Sequence, residues 1–99
     1  MAKEIEYEPH SVVSKTIIKK PTGQVSIIAV DDGEVIEEKV IPFDTVAVLL
    51  EGEAEIIIDG EPHDLDTGET IVIPAHTSNK IIAKKRFKMI QTVIKSGYE

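Results

Sequence analysis

Three histidines (His10, His63 and His76), eighteen carboxylates and a lysine at position 39 are the side chains of this chain best equipped to bind or transform a ligand. Cysteine is absent, which excludes thiolate nucleophiles, thiolate metal sites and disulfides. A three-imidazole zinc or iron site would need His10, near the N-terminus, to meet two residues from different turns. The plain reading of His63, beside Asp64, and of His76, in the loop from Pro74 to Asn79, is a solvated side chain. Lys39 follows Glu37 and Glu38, so it is either an exposed lysine paired with a carboxylate or an inward one. If inward, desolvation lowers its pKa and fits it to hold a carboxylate or act as a base. Most acids fall on turns or alternate with apolar residues, as solvent faces do. No phosphate-cradling glycine loop occurs, and no serine, histidine and acid set can be assembled from spacing alone. Catalytic residues are therefore not assigned.

Those residues must be positioned by strands, because short β-branched runs bounded by Gly, Asp and Pro recur while helical periodicity is hard to find. The chain reads as all-β. Strands are expected at 12–18, 25–30, 35–41, 45–50, 54–58, 61–65, 70–73, 79–83 and 87–94. Asp32-Gly33 and Asp59-Gly60 predict hairpins, since a primed turn needs positive φ. Pro21-Thr22-Gly23, Glu51-Gly52, Thr67-Gly68 and the basic run Lys84 to Arg86 supply the other breaks. Runs 45–50 and 54–58 are apolar almost throughout, which predicts burial on both faces, one of them against a second subunit. Leu49, Leu50, Ile57 and Ile73 are the expected core anchors.

At 99 residues and 41% hydrophobic side chains, one domain spanning residues 1–99 is expected, with 1–11 as an N-terminal arm or edge strand. A net charge of −7 opposes binding to nucleic acid or an anionic membrane. The cluster Lys80, Lys84, Lys85, Arg86 and Lys88 has only Phe87 interleaved and reads as a solvated strand face. Nothing resembles a signal peptide, and nowhere do about twenty apolar residues run together, so a cytoplasmic protein is expected.

The stretch from Val48 to Asp59 resembles the LEGEAEV-type strand and hairpin that follows the first cupin motif, and GETIVIPAHTSN from Gly68 resembles the second. The second motif places a proline six residues after its glycine and a metal-binding histidine five residues later; here these are Gly68, Pro74 and Asn79. In the first motif a glutamate ligand precedes by seven residues the glycine matched to Gly52, which falls on Thr45; two histidines lie earlier, near Lys39 and Ile41. All four ligand positions are thus replaced. The run Val40-Ile41-Pro42-Phe43-Asp44 and the triplet Phe87-Lys88-Met89 look like a subgroup of very small single-domain cupins of unknown function.

The resemblance implies a jelly-roll barrel, a cupin-type double-stranded β-helix, with a pocket between its sheets. Taking the replaced ligand positions as interior puts Lys39, Ile41, Thr45, Ala47, Asn79 and Ile81 on its wall, with Met89 or Gln91. One cation, hydrogen-bonding neutrals and apolar walls suit a small organic anion or polar molecule. The expected function is metal-independent binding of such a small-molecule ligand at Lys39, Thr45, His76, Asn79 and Gln91, by a homodimer without cofactor. The alternative is a cupin enzyme of isomerase, lyase or dioxygenase type that uses Lys39, His76 or a non-standard metal site.

Overall fold

The computed structural model describes residues 2–95 of the protein. After a 3-10 turn at Ala2–Glu4 come seven strands: β1 (Val12–Lys20), β2 (Gly23–Val30), β3 (Val35–Val40), β4 (Asp44–Ile58), β5 (Glu61–Asp66), β6 (Thr70–Ile73) and β7 (Ser78–Ile94). All pairings are antiparallel. No helix among the described residues is long and apolar enough to cross a membrane.

The fold is organised by β4 and β7, which pair from Asp44 opposite Ile94 to Ile58 opposite Asn79 and are interrupted midway by bulges. One limb of this pair joins β1, β2 and β6; the other joins β3 and β5. The two layers pack inner face to inner face around Ile28, Val30, Leu49, Ile56, Leu65, Ile81, Phe87 and Met89.

Two pairs of expected strands are therefore fused: 45–50 with 54–58, and 79–83 with 87–94. Gly52, expected to reverse the chain, instead carries it round the bend at φ +92°. A Cβ on Gly52 would overlap the Arg86 carbonyl oxygen and lie 2.7 Å from Phe87 Cα. Glycine is required there by the approach of β7 as much as by its own dihedral. Lys84 to Arg86 likewise ride on the bend of β7 and end no strand.

The bulges also change which residues face inward. Thr45, Ala47 and Leu49 are buried before the bend; Ala54 and Ile56 are buried after it, so the parity switches from odd to even. Ile57, an expected core anchor, consequently pairs with Lys80 and Pro62 and is only half-buried. Leu49 and Ile73 are buried, whereas Leu50 lies half-buried on the opposite side.

Asp59-Gly60 forms the expected primed hairpin, with φ of 47° and 84° and Ile58 opposite Glu61. Asp32-Gly33 does not form one: β2 and β3 do not pair, and the Gly33 amide donates to the Ala83 carbonyl of β7 at 3.0 Å. The turn carries the chain from one layer to the other.

The N-terminal segment is neither a strand nor a free arm. Ile5 is 5% exposed and packs with Ile27, Ala29, Tyr7, Val13, Leu50 and Ile90 on the outer face of the first layer. The Tyr7 hydroxyl donates to Glu51 Oε2 at 2.7 Å, and its ring lies 4.9 Å from the Arg86 guanidinium and 5.0 Å from Lys88 Nζ. Burial first, then the Glu51 carboxylate, raises the pKa of the Tyr7 phenol above its usual value. Part of the double-sided burial expected for β4 thus comes from the chain's own N-terminus.

Candidate functional site

Directly paired residues of antiparallel strands project to the same face, so the register divides the interior into rows. Nearest the bend the inner rows are apolar: Leu49, Met89 and Ile28 in one, Phe87 and Val30 in the next. Farther from the bend they turn polar. One row runs Thr16, Ser26, Gln91, Ala47, Ile71; the outermost runs Lys19, Gln24, Val93, Thr45, Ile73. On the other layer the matching end is Lys39, Asn79, Ile58 and Glu61. The inner wall is thus apolar near the bend and polar at the end away from it, hereafter the mouth.

Within this mouth Gln24, Ser26, Gln91 and Val93 are half-buried, so solvent reaches them. Gln24 Nε2 donates to Ser26 Oγ at 3.1 Å. Among the described residues Gln91 Nε2 has only the Met89 sulfur, at 3.7 Å, a weak acceptor. Thr45 and Asn79 are each 2% exposed. The Asn79 amide donates to the Lys39 carbonyl at 3.4 Å, tying β7 to β3. Thr45 Oγ1 is buried with no hydrogen-bond partner among the described residues, a loss of about 1–3 kcal/mol for a desolvated hydroxyl.

Other expected wall residues are placed differently. Ala47, Ile81 and Met89 are fully buried core side chains that contact no solvent-sized space. Lys39 shares its face with Asn79 but is exposed at the rim, contrary to the desolvated inward lysine considered above. Ile41 is half-buried in the β3–β4 connection. His76 is exposed at φ 65°, and its backbone amide donates to the Ile41 carbonyl at 2.9 Å. The next-door Ala75 amide donates to Asp44 Oδ1 at 2.8 Å. These bonds join the 41–44 and 74–77 segments and leave the His76 ring in solvent.

Gln24 and Ser26 were not anticipated from sequence. Their signal is the alternation in GQVSIIAV, where they share a face with Ile28 and Val30.

The positions Lys39, Ile41, Thr45 and Asn79 do not fit a metal: they offer an exposed ammonium, an alkyl chain, one buried hydroxyl and one amide. His10, His63 and His76 are all exposed, and among the described residues no three His, Asp or Glu side chains form a metal-holding group.

Charge chemistry lies elsewhere. Asp31 accepts from the His10 backbone amide at 2.8 Å and from Arg86 Nη2 at 3.1 Å. Backbone hydrogen bonds, first from His10 and then from Asp32, hold its carboxyl below the usual carboxylate range, with Arg86 assisting. Lys84 donates to Asp64 Oδ1 at 2.6 Å, and that bond raises the lysine's pKa. Beside this pair a recess of about 220 Å³ is lined by Glu53, Ala54, Asp64, Leu65, Asp66 and Lys84. It contains none of the expected site residues.

Several solved structures share this architecture. A cupin superfamily protein from Desulfitobacterium hafniense is 33% identical, with a TM-score of 0.91 over 95% of this chain and 86% of that one. A conserved protein of unknown function from Streptococcus pyogenes is 30% identical, with a TM-score of 0.91 over 95% and 82% of the two chains. A cupin 2 conserved barrel domain protein from Leptotrichia buccalis is 29% identical with a TM-score of 0.89; the match covers 96% of this chain and 46% of that one. No protein-family model matches the sequence, and no curated protein matches it.

Proposed function

Because the chain belongs to the cupin superfamily, we propose that it is a metal-independent small-molecule-binding barrel whose ligand enters at the polar mouth. The observation that carries this reading is the segregation of the inner wall: apolar near the bend, and amide- and hydroxyl-bearing at the other end. A barrel interior that served packing alone would not need Gln24, Ser26 and Gln91 on one half-buried patch. Lys39 and Asn79 stand on the facing layer, where a rim ammonium assists a polar or anionic ligand without being desolvated itself. Four ligand positions without histidine or carboxylate favour this over a metal enzyme.

The test is a thermal-shift screen of small organic anions and neutral polar molecules alongside divalent metals. A ligand that binds only the native state stabilises it by about 2.7 kcal/mol at a hundredfold excess over Kd. A shift with an organic molecule and none with zinc or nickel supports the reading. A strong zinc or nickel shift that disappears in His63→Ala or His76→Ala replaces it with a metal site.

The protein is further proposed to work as a homodimer through the outer face of its first layer. Ile18, Val25, Thr92, Val46 and Val72 form one row across five strands with no charged member. Ile18 and Val72 are 46% and 54% exposed. In a chain of net charge −7, an acid-free row is where two copies approach with least repulsion. Light scattering should give twice the 10.9 kDa chain mass, and Val72→Asp should give the monomer. A wild-type monomer at all concentrations refutes it.

A further inference from the structure

The polar end of the inner wall narrows the class of ligand. We infer that the mouth takes a neutral, multiply hydroxylated molecule, held by the Gln91 and Gln24 amides and the Ser26 hydroxyl. This rests on the barrel-mouth reading above and specifies its chemistry.

Three observations converge. First, Gln91 is half-buried and, among the described residues, its amide nitrogen meets a thioether alone at 3.7 Å, so most of its hydrogen-bonding capacity is open to solvent or a guest. Secondly, Gln24 and Ser26 extend the same patch, Ser26 directly opposite Gln91 and Gln24 opposite Val93. Their mutual bond at 3.1 Å uses one amide hydrogen of Gln24 and leaves its carbonyl oxygen available to a guest. Thirdly, the next row holds the stranded, fully buried Thr45 hydroxyl, so polar capacity at this end exceeds what the protein itself satisfies.

The patch is also uncharged. Among the described residues no acid lies on the two polar inner rows, and the charged groups at this end, Lys19, Lys39 and Glu61, are exposed. A carboxylate or phosphate guest would leave its charge facing neutral amides and an exposed ammonium weakened by solvent. A hydroxyl both donates and accepts, as an amide does, so adjacent hydroxyls match paired amides without a desolvated charge.

The experiment uses the whole chain with myo-inositol and glucose as neutral probes and glucuronate as the charged one. Binding is followed by saturation-transfer NMR and by side-chain amide shifts in 15N-labelled protein. Saturation transfer to the neutral probes, with movement of the Gln24 and Gln91 amide signals, supports the proposal. Gln91→Met should then weaken binding by about tenfold, the equivalent of 1.4 kcal/mol, while Lys85→Met, on the bend of β7 away from the mouth, leaves it unchanged. Ser26→Ala, a smaller change, provides a second variant if Gln91→Met does not fold. If only glucuronate binds, and Lys39→Met abolishes it, the neutral class is overturned while the mouth stands as a binding site. If neither neutral probe nor glucuronate perturbs these amides, both the class and the mouth reading fall.

Discussion

Replacing Gly52 by alanine should be far more damaging than the same change at other positive-φ glycines, because at Gly52 two costs coincide. The first is its φ of +92°, a conformation costing an L-residue about 1–3 kcal/mol. The second is steric: the new Cβ would overlap the Arg86 carbonyl, with Phe87 Cα at 2.7 Å and its Cβ at 2.8 Å. Two of these three atoms are backbone and the third is fixed by a fully buried phenylalanine, so relief requires β4 and β7 to part at their shared bend. Forced backbone shifts of this kind add about 1–3 kcal/mol. Together they predict a loss of about 2–6 kcal/mol. Gly60→Ala and Gly33→Ala are the internal controls: φ is +84° and +75°, but nothing lies within 4 Å of the added methyl. These should lose only the dihedral cost. Urea denaturation followed by far-UV circular dichroism gives all three values. If Gly52→Ala falls within about 0.5 kcal/mol of Gly60→Ala, the close approach of the two bends is not what demands glycine.

Three further outcomes are expected. Leu49→Ala and Ile56→Ala, both at fully buried sites, should each cost about 2–5 kcal/mol, whereas Ile57→Ala costs clearly less; equal losses in urea titrations would contradict the parity switch across the bend. Thr45→Val should raise stability by about 1 kcal/mol in the ligand-free protein, since it removes a buried hydroxyl that bonds to nothing; a loss of stability in calorimetry would show that the hydroxyl is satisfied in solution. Asp31 has a depressed pKa in the folded state, so its contribution is full above the ordinary carboxylate pKa and disappears as pH falls through the lower folded value. Asp31→Asn should therefore destabilise at neutral pH by an amount that shrinks in acid, and a pH-independent difference in melting temperature would refute that origin.

The sequence was most legible where a local rule acted alone. Asp59-Gly60 demanded a primed turn and received one, because the strands on either side of it pair with each other. Asp32-Gly33 carries the same local signal, but its flanking strands find partners in β7, and pairing is decided by the whole barrel. Gly52 was read as a reversal because nothing nearby reveals that β7 crosses against it. Ile57 is expected inside because the run 54–58 is apolar almost throughout, but past the bulge the even positions face inward and Ile57 does not. Of the candidate site, facing was legible for three positions: Thr45, Asn79 and Gln91 lie on inner-face rows. Burial was not, since Lys39 and Asn79 share a register position yet differ completely in exposure. The N-terminal segment defeated composition altogether, because its acidic residues surround a single anchor, Ile5.

The shared β4–β7 pair also dictates how the molecule comes apart. Each of its two strands belongs to both layers, so neither layer can be lost while the other keeps its central ladder. Ile58 and Asn79 close the ladder first in sequence terms, with β5 and β6 between them, and the pairing then extends outward to Asp44 and Ile94. Amides of the regular β4–β7 ladder on either side of the bend should exchange with deuterium only on global unfolding, whereas those of β1 exchange through local opening at the edge. Such non-local pairing places the chain among slow folders.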